Sequence, residues 1–491
     1  MMGIFTIDKK ERMLFIAILV ASFFYVLPII LSGQFYIDDL RRSIWGDLGW
    51  SQIGRPLSDL ILKVITLGGL AGDTFPLTLI LSVLLISFSV FKYVKSIRII
   101  TDTKVIFMLT VSVMCSPFMI ENMSFRYDSV TMAASLSFII LAFTIKSTDI
   151  KALAIGALLV IFSLCTYQAT IGVFFTLSIL EFCIKTKSSQ RSFDNILTLI
   201  KRVAQFLTSF IIYTKLISPY FVVGFYGENH SELLPLTAES ITAAIKNTAN
   251  FASMIVELNY IYGYILIASV VLSMLSSLMI ARGAIKNEVS LYSIASAVIV
   301  IASPFFAVLF SFIHLVPLKN PVILPRTMMS FCATIMFFGI SISMLSGRSA
   351  KALLALFILC SLSYVYTYGN ASKSQSESDG RIVETLRYAV GIKGIDAKNL
   401  IIYGESPKTK QSIIAENKYP SIKRLIQMYL SGNRMWSRFL MMHHGMGVTL
   451  IDNSSLKLSR VCAWDTIYKD ESYLIKNEKT TVAVIFGDKC K

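Results

Sequence analysis

Residues 13–42 read MLFIAILVASFFYVLPIILSGQFYIDDLRR, an unbroken apolar run that ends in two adjacent carboxylates, Asp38 and Asp39. The stretch from Met13 to Leu31 has about the 20 residues an α-helix needs to cross a bilayer. It lacks a small-residue cleavage site and more apolar runs follow, so it reads as a span and not as a removable signal. The acidic pair behind it is the most informative feature of the chain. Neighbouring carboxylates repel, and charge beside lipid is costly. The pair makes sense where a lipid-borne substrate meets water and a proton must be removed.

The whole chain supports a membrane reading. Its 491 residues are 55% hydrophobic and 15% charged, with a mean hydropathy of +0.66, whereas a soluble domain carries about 25% charged residues. The net charge of +16 does not indicate nucleic acid, because the basic residues are dispersed between apolar segments. Candidate spans lie near 13–32, 75–94, 104–120, 128–145, 152–168, 170–185, 197–218, 260–281, 291–312, 327–347 and 352–369. Threading these eleven places Lys92/Lys95/Arg98/Lys104, Lys146/Lys151, Lys185/Lys187/Arg191, Arg282/Lys286 and Arg348/Lys351 on one side, with the basic N-terminus. The positive-inside rule makes that side cytoplasmic. The segments 33–74, 121–127, 219–259, 313–326 and 370–491 then lie outside.

The expected fold class is a polytopic α-helical membrane protein of about eleven transmembrane helices with a small C-terminal periplasmic α/β domain. The membrane domain covers 1–369. Within it, 33–74 is the first outer loop, and the apolar spacing of Leu57, Leu60, Ile61, Val64 and Ile65 predicts an amphipathic helix at the interface. Ala371 to Gly380 reads as a Ser-rich linker. In 370–491, Arg381–Val390 and Tyr419–Leu430 look helical, and 399–403, 448–451 and 480–486 look like strands. Cys115, Cys165, Cys183, Cys332 and Cys360 fall in apolar segments as small buried residues. Cys462 and Cys490 can pair if their region faces an oxidising compartment.

A positive-inside protein should avoid outer arginines, so Arg41, Arg42, Arg55, Arg126 and Arg326 each ask for a reason. A guanidinium fork is a permanent cation matched to phosphate, and several near headgroup level can stabilise a departing lipid phosphate. The alternative for each is an Asp partner or snorkelling to headgroups. Asp38 and Asp39 suit a sugar transfer, in which one carboxylate takes the proton of the attacking hydroxyl; the plainer reading is an N-cap and first-turn acid. Glu121, Arg126, Tyr127 and Asp128 crowd one short turn and can form a second wall of the same site, with Phe125 and Tyr127 offering faces to a sugar. His443-His444 is an ordinary surface pair without a carboxylate at ligand spacing, and Gly224–His230 is a plausible mobile loop. No GxxxxGK[ST] run points to ATP.

Asp38-Asp39 and Arg41, followed by Gly46, Trp50, Gly54-Arg55-Pro56 and Ser124-Phe125-Arg126-Tyr127-Asp128, resemble the bacterial O-antigen glucosyltransferases of the Gtr type, the phage-encoded serotype-converting enzymes. They also resemble the wider GT-C class of polyprenyl-phosphate-sugar-dependent transferases. The resemblance implies an inverting membrane glycosyltransferase of the bacterial inner membrane, with its N-terminus cytoplasmic. It would move glucose from undecaprenyl-phosphate-glucose to a sugar hydroxyl of lipid-linked O-antigen on the periplasmic face. A flippase and a donor synthase would supply the donor. In that scheme Asp38 or Asp39 is the base, and Arg126, Arg55, Arg326 or Arg41 holds the donor phosphate. Tyr127, Glu121, Asp128 and Trp50 meet sugar or acceptor, as would Trp436, Tyr403 and Trp464 in the C-terminal domain. No cofactor is expected, though a divalent metal on Asp38 and Asp39 stays open. The competing reading is a transporter or flippase of a polyprenyl-linked sugar. It is disfavoured because no inverted halves are visible and the charges sit at span ends. An acyl-transferring factor lacks support, since the membrane region holds only His230 and His314, neither with an evident partner.

Overall fold

The computed structural model describes residues 8–145, 149–188, 191–235, 237–432 and 435–490; Lys146, counted above among the basic clusters, lies outside them. In chain order the helices are α1 (Lys9–Ser32), α2 (Asp38–Trp45), α3 (Pro56–Ile65), α4 (Leu77–Ser96), α5 (Thr103–Met114), α6 (Met119–Ser124), α7 (Ser129–Ala142), α8 (Ile150–Leu164), α9 (Ile171–Ser188) and α10 (Ser192–Ile211). A π-helical stretch, Ile212–Ile217, leads from α10 into α11 (Ser218–Phe221). There follow α12 (Phe225–Ser231), α13 (Ala238–Val256), α14 (Tyr260–Asn287), α15 (Leu291–Leu309), α16 (Phe331–Leu345) and α17 (Gly347–Ile392). The C-terminal part holds α18 (Lys410–Lys418), α19 (Met435–His443), α20 (Leu458–Cys462) and strands β1 (Asn399–Tyr403), β2 (Thr449–Leu450), β3 (Asp465–Lys469), β4 (Tyr473–Glu478) and β5 (Thr481–Phe486).

Among the described residues, eight helices are long and apolar enough to cross a membrane; α5, α7 and α8 are apolar but shorter. Each of the eleven expected stretches is therefore helical, and eight meet the length of a span. The chain divides into two compact units. The first is residues 1–27, 48–69 and 74–365; the second is 28–47, 70–73 and 366–491.

The first unit is the helical bundle. α4 packs on α7, α7 on α8, and α14 on both α15 and α16. Small and hydroxylated residues fill these contacts, as close helix packing in lipid favours. Ser135 Oγ lies 2.8 Å from Ser163 Oγ and 2.8 Å from Thr170 Oγ1, joining α7, α8 and the start of α9. Arg202 of α10 is 1% exposed, and it is satisfied by Glu181 Oε2 at 2.7 Å and Gln205 Oε1 at 2.9 Å. Residues 219–259, expected as an outer loop, instead form α12 and the 19-residue α13.

The second unit is built on a five-stranded sheet of order β2-β1-β5-β4-β3. β1 runs parallel to β2 and β5, and β4 is antiparallel to β3 and β5. Strand alternation sends Leu400, Ile402, Val482, Val484 and Phe486 to one core and Ile401, Tyr403, Ala483 and Ile485 to the other. Leu40, next to the acidic pair, is buried in the first of these cores with Val383, Leu386 and Phe439. Cys462 and Cys490 form a disulfide.

Two expectations for this region are corrected. Ala371 to Gly380 is not a linker but part of α17, which continues unbroken to Ile392. Its polar residues repeat at helical spacing: Ser372, Gln375 and Asp379 are buried, in register with Ile382, Val383 and Leu386. Tyr419–Leu430 is helical only over Pro420–Arg424, as one 3₁₀ turn.

Asp379 is 1% exposed. It accepts hydrogen bonds from Ser406 Oγ at 2.9 Å and Gln375 Nε2 at 3.1 Å. It lies in the polar half of α17, ten residues past Gly369, where the apolar stretch ends. Burial pushes its carboxyl from 3.8 up to about 6. Because the folded value is the higher one, the folded unit binds this proton more tightly than the unfolded chain. Its contribution is full below about pH 4 and is lost as pH rises through about 6, a change on the order of 2–3 kcal/mol. Three of the four tryptophans, Trp45, Trp436 and Trp464, lie in the second unit. Thermal unfolding in detergent, followed by tryptophan fluorescence, should therefore show a higher midpoint at pH 5 than at pH 7.5, and Asp379→Asn should flatten that difference.

Candidate active site

In the first unit, four charged residues expected at the site assemble around one tyrosine that the sequence reading passed over. Tyr167 lies in the connection between α8 and α9, just before the 3₁₀ turn Gln168–Thr170, and it is 2% exposed. Its hydroxyl donates to the Arg326 carbonyl at 3.1 Å. The Arg55 guanidinium lies 4.5 Å above its ring centroid, a cation–π distance. Arg55 also donates from Nε to Gln168 Oε1 at 3.3 Å, and its Nη1 stands 3.6 Å from Asp128 Oδ2. On the other side, Arg326 Nη1 stands 3.6 Å from Glu121 Oε1, while the Arg326 N–H donates to Glu121 Oε2 at 2.7 Å. Both guanidinium–carboxylate separations exceed the 2.7–2.9 Å of a full charge-assisted hydrogen bond.

Local sequence explains the placement. Gly54 has φ +78°, and a Cβ there would sit 2.7 Å from the Tyr213 hydroxyl. Glycine thus lets Tyr213 donate to the Gly54 carbonyl at 2.7 Å while Gln168 Nε2 reaches the same oxygen at 3.1 Å. Pro56 then opens α3 at its first position, where its missing N–H costs nothing, and Arg55 is left between the two. The preceding loop is held by Asp59, whose carboxylate accepts from the N–H groups of Gly49, Trp50 and Ser51 at 3.2, 2.9 and 2.9 Å. Asp128 accepts from the Thr131 hydroxyl at the start of α7. Arg126 is placed differently: its guanidinium lies 4.4 Å over the Phe75 ring, and its carbonyl accepts from the Thr78 hydroxyl. Tyr127 is 2% exposed and Trp50 is 1% exposed, so neither offers an open ring face to a sugar.

The acidic pair belongs to the second unit, and its two members differ. Asp39 is 1% exposed, and its Oδ2 accepts from the Tyr36 N–H at 3.0 Å, which ties the loop to the first turn of α2. Asp38 has a side chain 46% exposed and stands 3.9 Å from Arg42 Nη1. Asp38 is thus the carboxylate that meets solvent. Arg41 is engaged by Asp47 at 2.6 Å. Ile37, just before the pair, has φ +48°, a strained conformation for a β-branched residue. Tyr429 clamps it there: its hydroxyl accepts from the Ile37 N–H at 2.8 Å and donates to the Phe35 carbonyl at 2.9 Å. Burial pushes the Tyr429 phenol well above its ordinary value, and the Asp39 charge adds to the rise, so the clamp stays a neutral donor.

The remaining expected residues have structural partners. His444 Nδ1 contacts Glu384 at 3.0 Å, and His443 Nδ1 contacts Ser43 Oγ at 3.3 Å. Tyr403 and Trp464 are each 7% exposed, and Trp436 packs against the sheet core. Among the described residues no group of three or more His, Cys, Asp or Glu could hold a metal ion.

Tyr167-Gln168 carried one signal in the sequence, a polar pair in a connection too short to be a loop. Asp59 carried another, a lone acid in an apolar amphipathic helix. Nothing local announced the Tyr429 clamp, 392 residues from its partner Ile37.

The fold and this geometry can be set beside known proteins. The chain is 27% identical over 453 residues, 88% of its length and 90% of the relative's, to an uncharacterized 55.3 kDa protein in the gtrB 5′ region of Salmonella phage P22. No solved structure matches it. A profile described as glucosyl transferase GtrII matches residues 27–340, which include both carboxylates of the acidic pair and the whole cluster around Tyr167. That match covers well over half of the sequence, and the chain belongs to the GtrII glucosyl transferase family, a family of glucosyl transferases.

Proposed function

We propose that this glycosyltransferase moves glucose from a polyprenyl-phosphate-glucose donor, undecaprenyl-phosphate-glucose in a bacterial inner membrane, to a sugar hydroxyl of lipid-linked O-antigen. The observation that carries the reading is the Arg55–Tyr167–Arg326 arrangement. The Arg55 cation is fixed by the Tyr167 ring face and the Gln168 amide, the Tyr167 hydroxyl holds the Arg326 backbone, and each guanidinium has a carboxylate at 3.6 Å. Such cations stabilise charge that develops on a leaving phosphate. In a single displacement the acceptor oxygen bonds to the anomeric carbon as the bond from that carbon to the phosphate oxygen breaks. The hydroxyl proton passes to a carboxylate, and polyprenyl phosphate leaves as the anion. The product is inverted at the anomeric centre.

The base is assigned to the acidic pair, and within it to Asp38, because Asp38 meets solvent while Asp39 serves the backbone. Arg55 and Arg326 take the donor phosphate, with Arg126 and Arg41 in outer roles. Glu121 and Asp128 hold the arginines. The Cys462–Cys490 disulfide supports an oxidising compartment for the C-terminal region, hence a periplasmic one. A flippase and a donor synthase then supply substrate from the other leaflet.

The test is transfer by purified protein in vesicles, from polyprenyl-phosphate-glucose to lipid-linked O-antigen. Asp38→Asn should lower kcat by about 10²–10⁴-fold, the usual worth of a general base. Arg55→Ala should lower kcat/KM by about 10²–10³-fold, the loss expected for one electrostatic stabiliser. Undiminished product from both Asp38→Asn and Asp39→Asn would remove the acidic pair from the mechanism. Movement of donor across the vesicle without covalent product would replace the transferase reading with a transporter.

A further inference from the structure

Trp45 ends the same helix that Asp38 opens, and the reaction described so far gives it no part. Of the four tryptophans it alone is exposed, at 45%. A single open apolar side chain needs no explanation by itself, but this one stands in a built setting. Asp38, Arg41 and Trp45 recur at i, i+3 and i+7, so they share one face of α2, while Asp39 and Leu40 are buried on another. The Arg41 guanidinium lies 5.7 Å from the Trp45 ring centroid, within cation–π range. Its Nη2 donates to Asp47 Oδ2 at 2.6 Å. Gly46, with φ +63°, closes α2 through its N–H to the Arg42 carbonyl at 2.7 Å, and this left-handed turn brings Asp47 back to Arg41. The Phe439 ring meets the Trp45 ring nearly at right angles, 5.3 Å between centroids, and Phe439 is itself 5% exposed in the sheet core. The indole is therefore seated on the core and flanked by a closed ion pair.

The charges on this face define the chemistry of its ligand. Arg41 stands 2.6 Å from Asp47 and Arg42 stands 3.9 Å from Asp38, so two cations and two carboxylates offset one another. Such a face is matched to a neutral ligand and not to a phosphate or a polyanion. It is also a poor surface for hydrocarbon, because charge beside lipid is costly and the side chains of Asp38 and Arg41 are 46% and 47% exposed. A flat indole beside paired donors and acceptors suits a molecule with C–H groups on its faces and hydroxyls on its rim. A pyranose has that form. Its slightly positive C–H face lies on the negative face of the indole, and its hydroxyls accept from a guanidinium and donate to a carboxylate. Along the axis of α2, Asp38 and Trp45 are about 10–11 Å apart, a length that a disaccharide covers.

We infer that Trp45, Arg41 and Asp47 form a subsite for the acceptor glycan, and that it takes the sugar next to the one whose hydroxyl is attacked. The inference rests on the reading of Asp38 as the base, and it gives Arg41 a definite role. One sugar presents its hydroxyl to Asp38 while its neighbour in the glycan stacks on Trp45. Trp45 thereby determines specificity: it sets which sugar of the repeat reaches the carboxylate, and it takes no proton and holds no donor.

Saturation-transfer NMR on the intact protein in nanodiscs reads this binding without the reaction. The probe is O-antigen oligosaccharide freed from its lipid carrier, with no donor present. Trp45→Ala should weaken binding by about tenfold, the worth of one aromatic stack. Trp45→Tyr, which keeps a flat ring, should restore most of it, and Asp47→Ala should weaken it in the same direction. Tyr388→Ala removes a ring that is 71% exposed elsewhere in the second unit and should change nothing. In the transfer assay Trp45→Ala should raise KM for the lipid-linked glycan by a factor like that seen in binding, while kcat and the KM for the donor hold. Glycan binding and acceptor KM untouched by Trp45→Ala would overturn the inference. So would a bilayer of brominated phospholipid quenching a fluorescence component that Trp45→Tyr removes, since the ring would then be a membrane anchor. Glycan binding that depends on Trp45, in a protein that transfers no sugar, would sustain the subsite and sink the function proposed above. Transfer that ignores Trp45 would do the reverse.

Discussion

An arginine beside lipid has to be held by something, and in this bundle the holding is done by Tyr167. Its ring carries the Arg55 guanidinium and its hydroxyl binds the Arg326 carbonyl. Tyr167 thereby ties the Arg55 cation to the backbone that carries Arg326, and each guanidinium has a carboxylate at 3.6 Å. The rest of the first unit follows from that constraint. Gly54 exists so that Tyr213 and Gln168 can reach its carbonyl and set Arg55. Asp59 pins the loop that delivers Gly54. α6 and the turn before α16 meet because Glu121 accepts from the Arg326 backbone. On the function proposed above such a site is preorganised, with its dipoles and charges in place before a phosphate arrives, which is where electrostatic catalysis draws most of its effect.

The second unit solves a different problem. An adjacent pair of acids needs a reason not to be neutralised or turned to solvent together. The fold separates their duties. Asp39 is buried against backbone N–H, Asp38 is left open beside Arg42, and Ile37 is held in a strained conformation by the Tyr429 hydroxyl. Leu40 enters the sheet core one residue later. The motif is thus anchored from both sides, by a clamp and by a hydrophobic plug, so the carboxylate that faces water has a fixed position in its own unit.

Hydropathy reveals the bundle because each span buries or exposes a continuous apolar surface; Arg55 and Arg326 stand out as cations where the rule of topology disfavours them, and Glu121 and Asp128 as acids crowded into one short turn. Aromatic Tyr167 did not stand out, since tyrosines are common at span ends. α17 was misread for a physical reason. Its buried stripe past Gly369 is made of Ser372, Gln375 and Asp379, which keep the helical period with polar groups: Gln375 and Ser406 donate to Asp379, and Ser372 donates to Gln34. A hydropathy window sees only their polarity. β4 escapes a hydropathy reading because Lys476 and Asn477 interrupt its apolar alternation; Lys476 is 7% exposed and spends its charge on the Cys462 and Trp464 carbonyls. The partners that matter most, Tyr429 for Ile37 and Tyr167 for Arg326, are long-range and leave no local pattern.

The central claim is that the cations around Tyr167 serve a lipid phosphate which departs as sugar is transferred. The most direct measurement counts, in one reaction by the purified protein, the polyprenyl phosphate released and the glucose attached to the lipid-linked glycan. The account predicts equal amounts of each at every time point. Phosphate released without glycosylated product, or product formed without phosphate release, would contradict it.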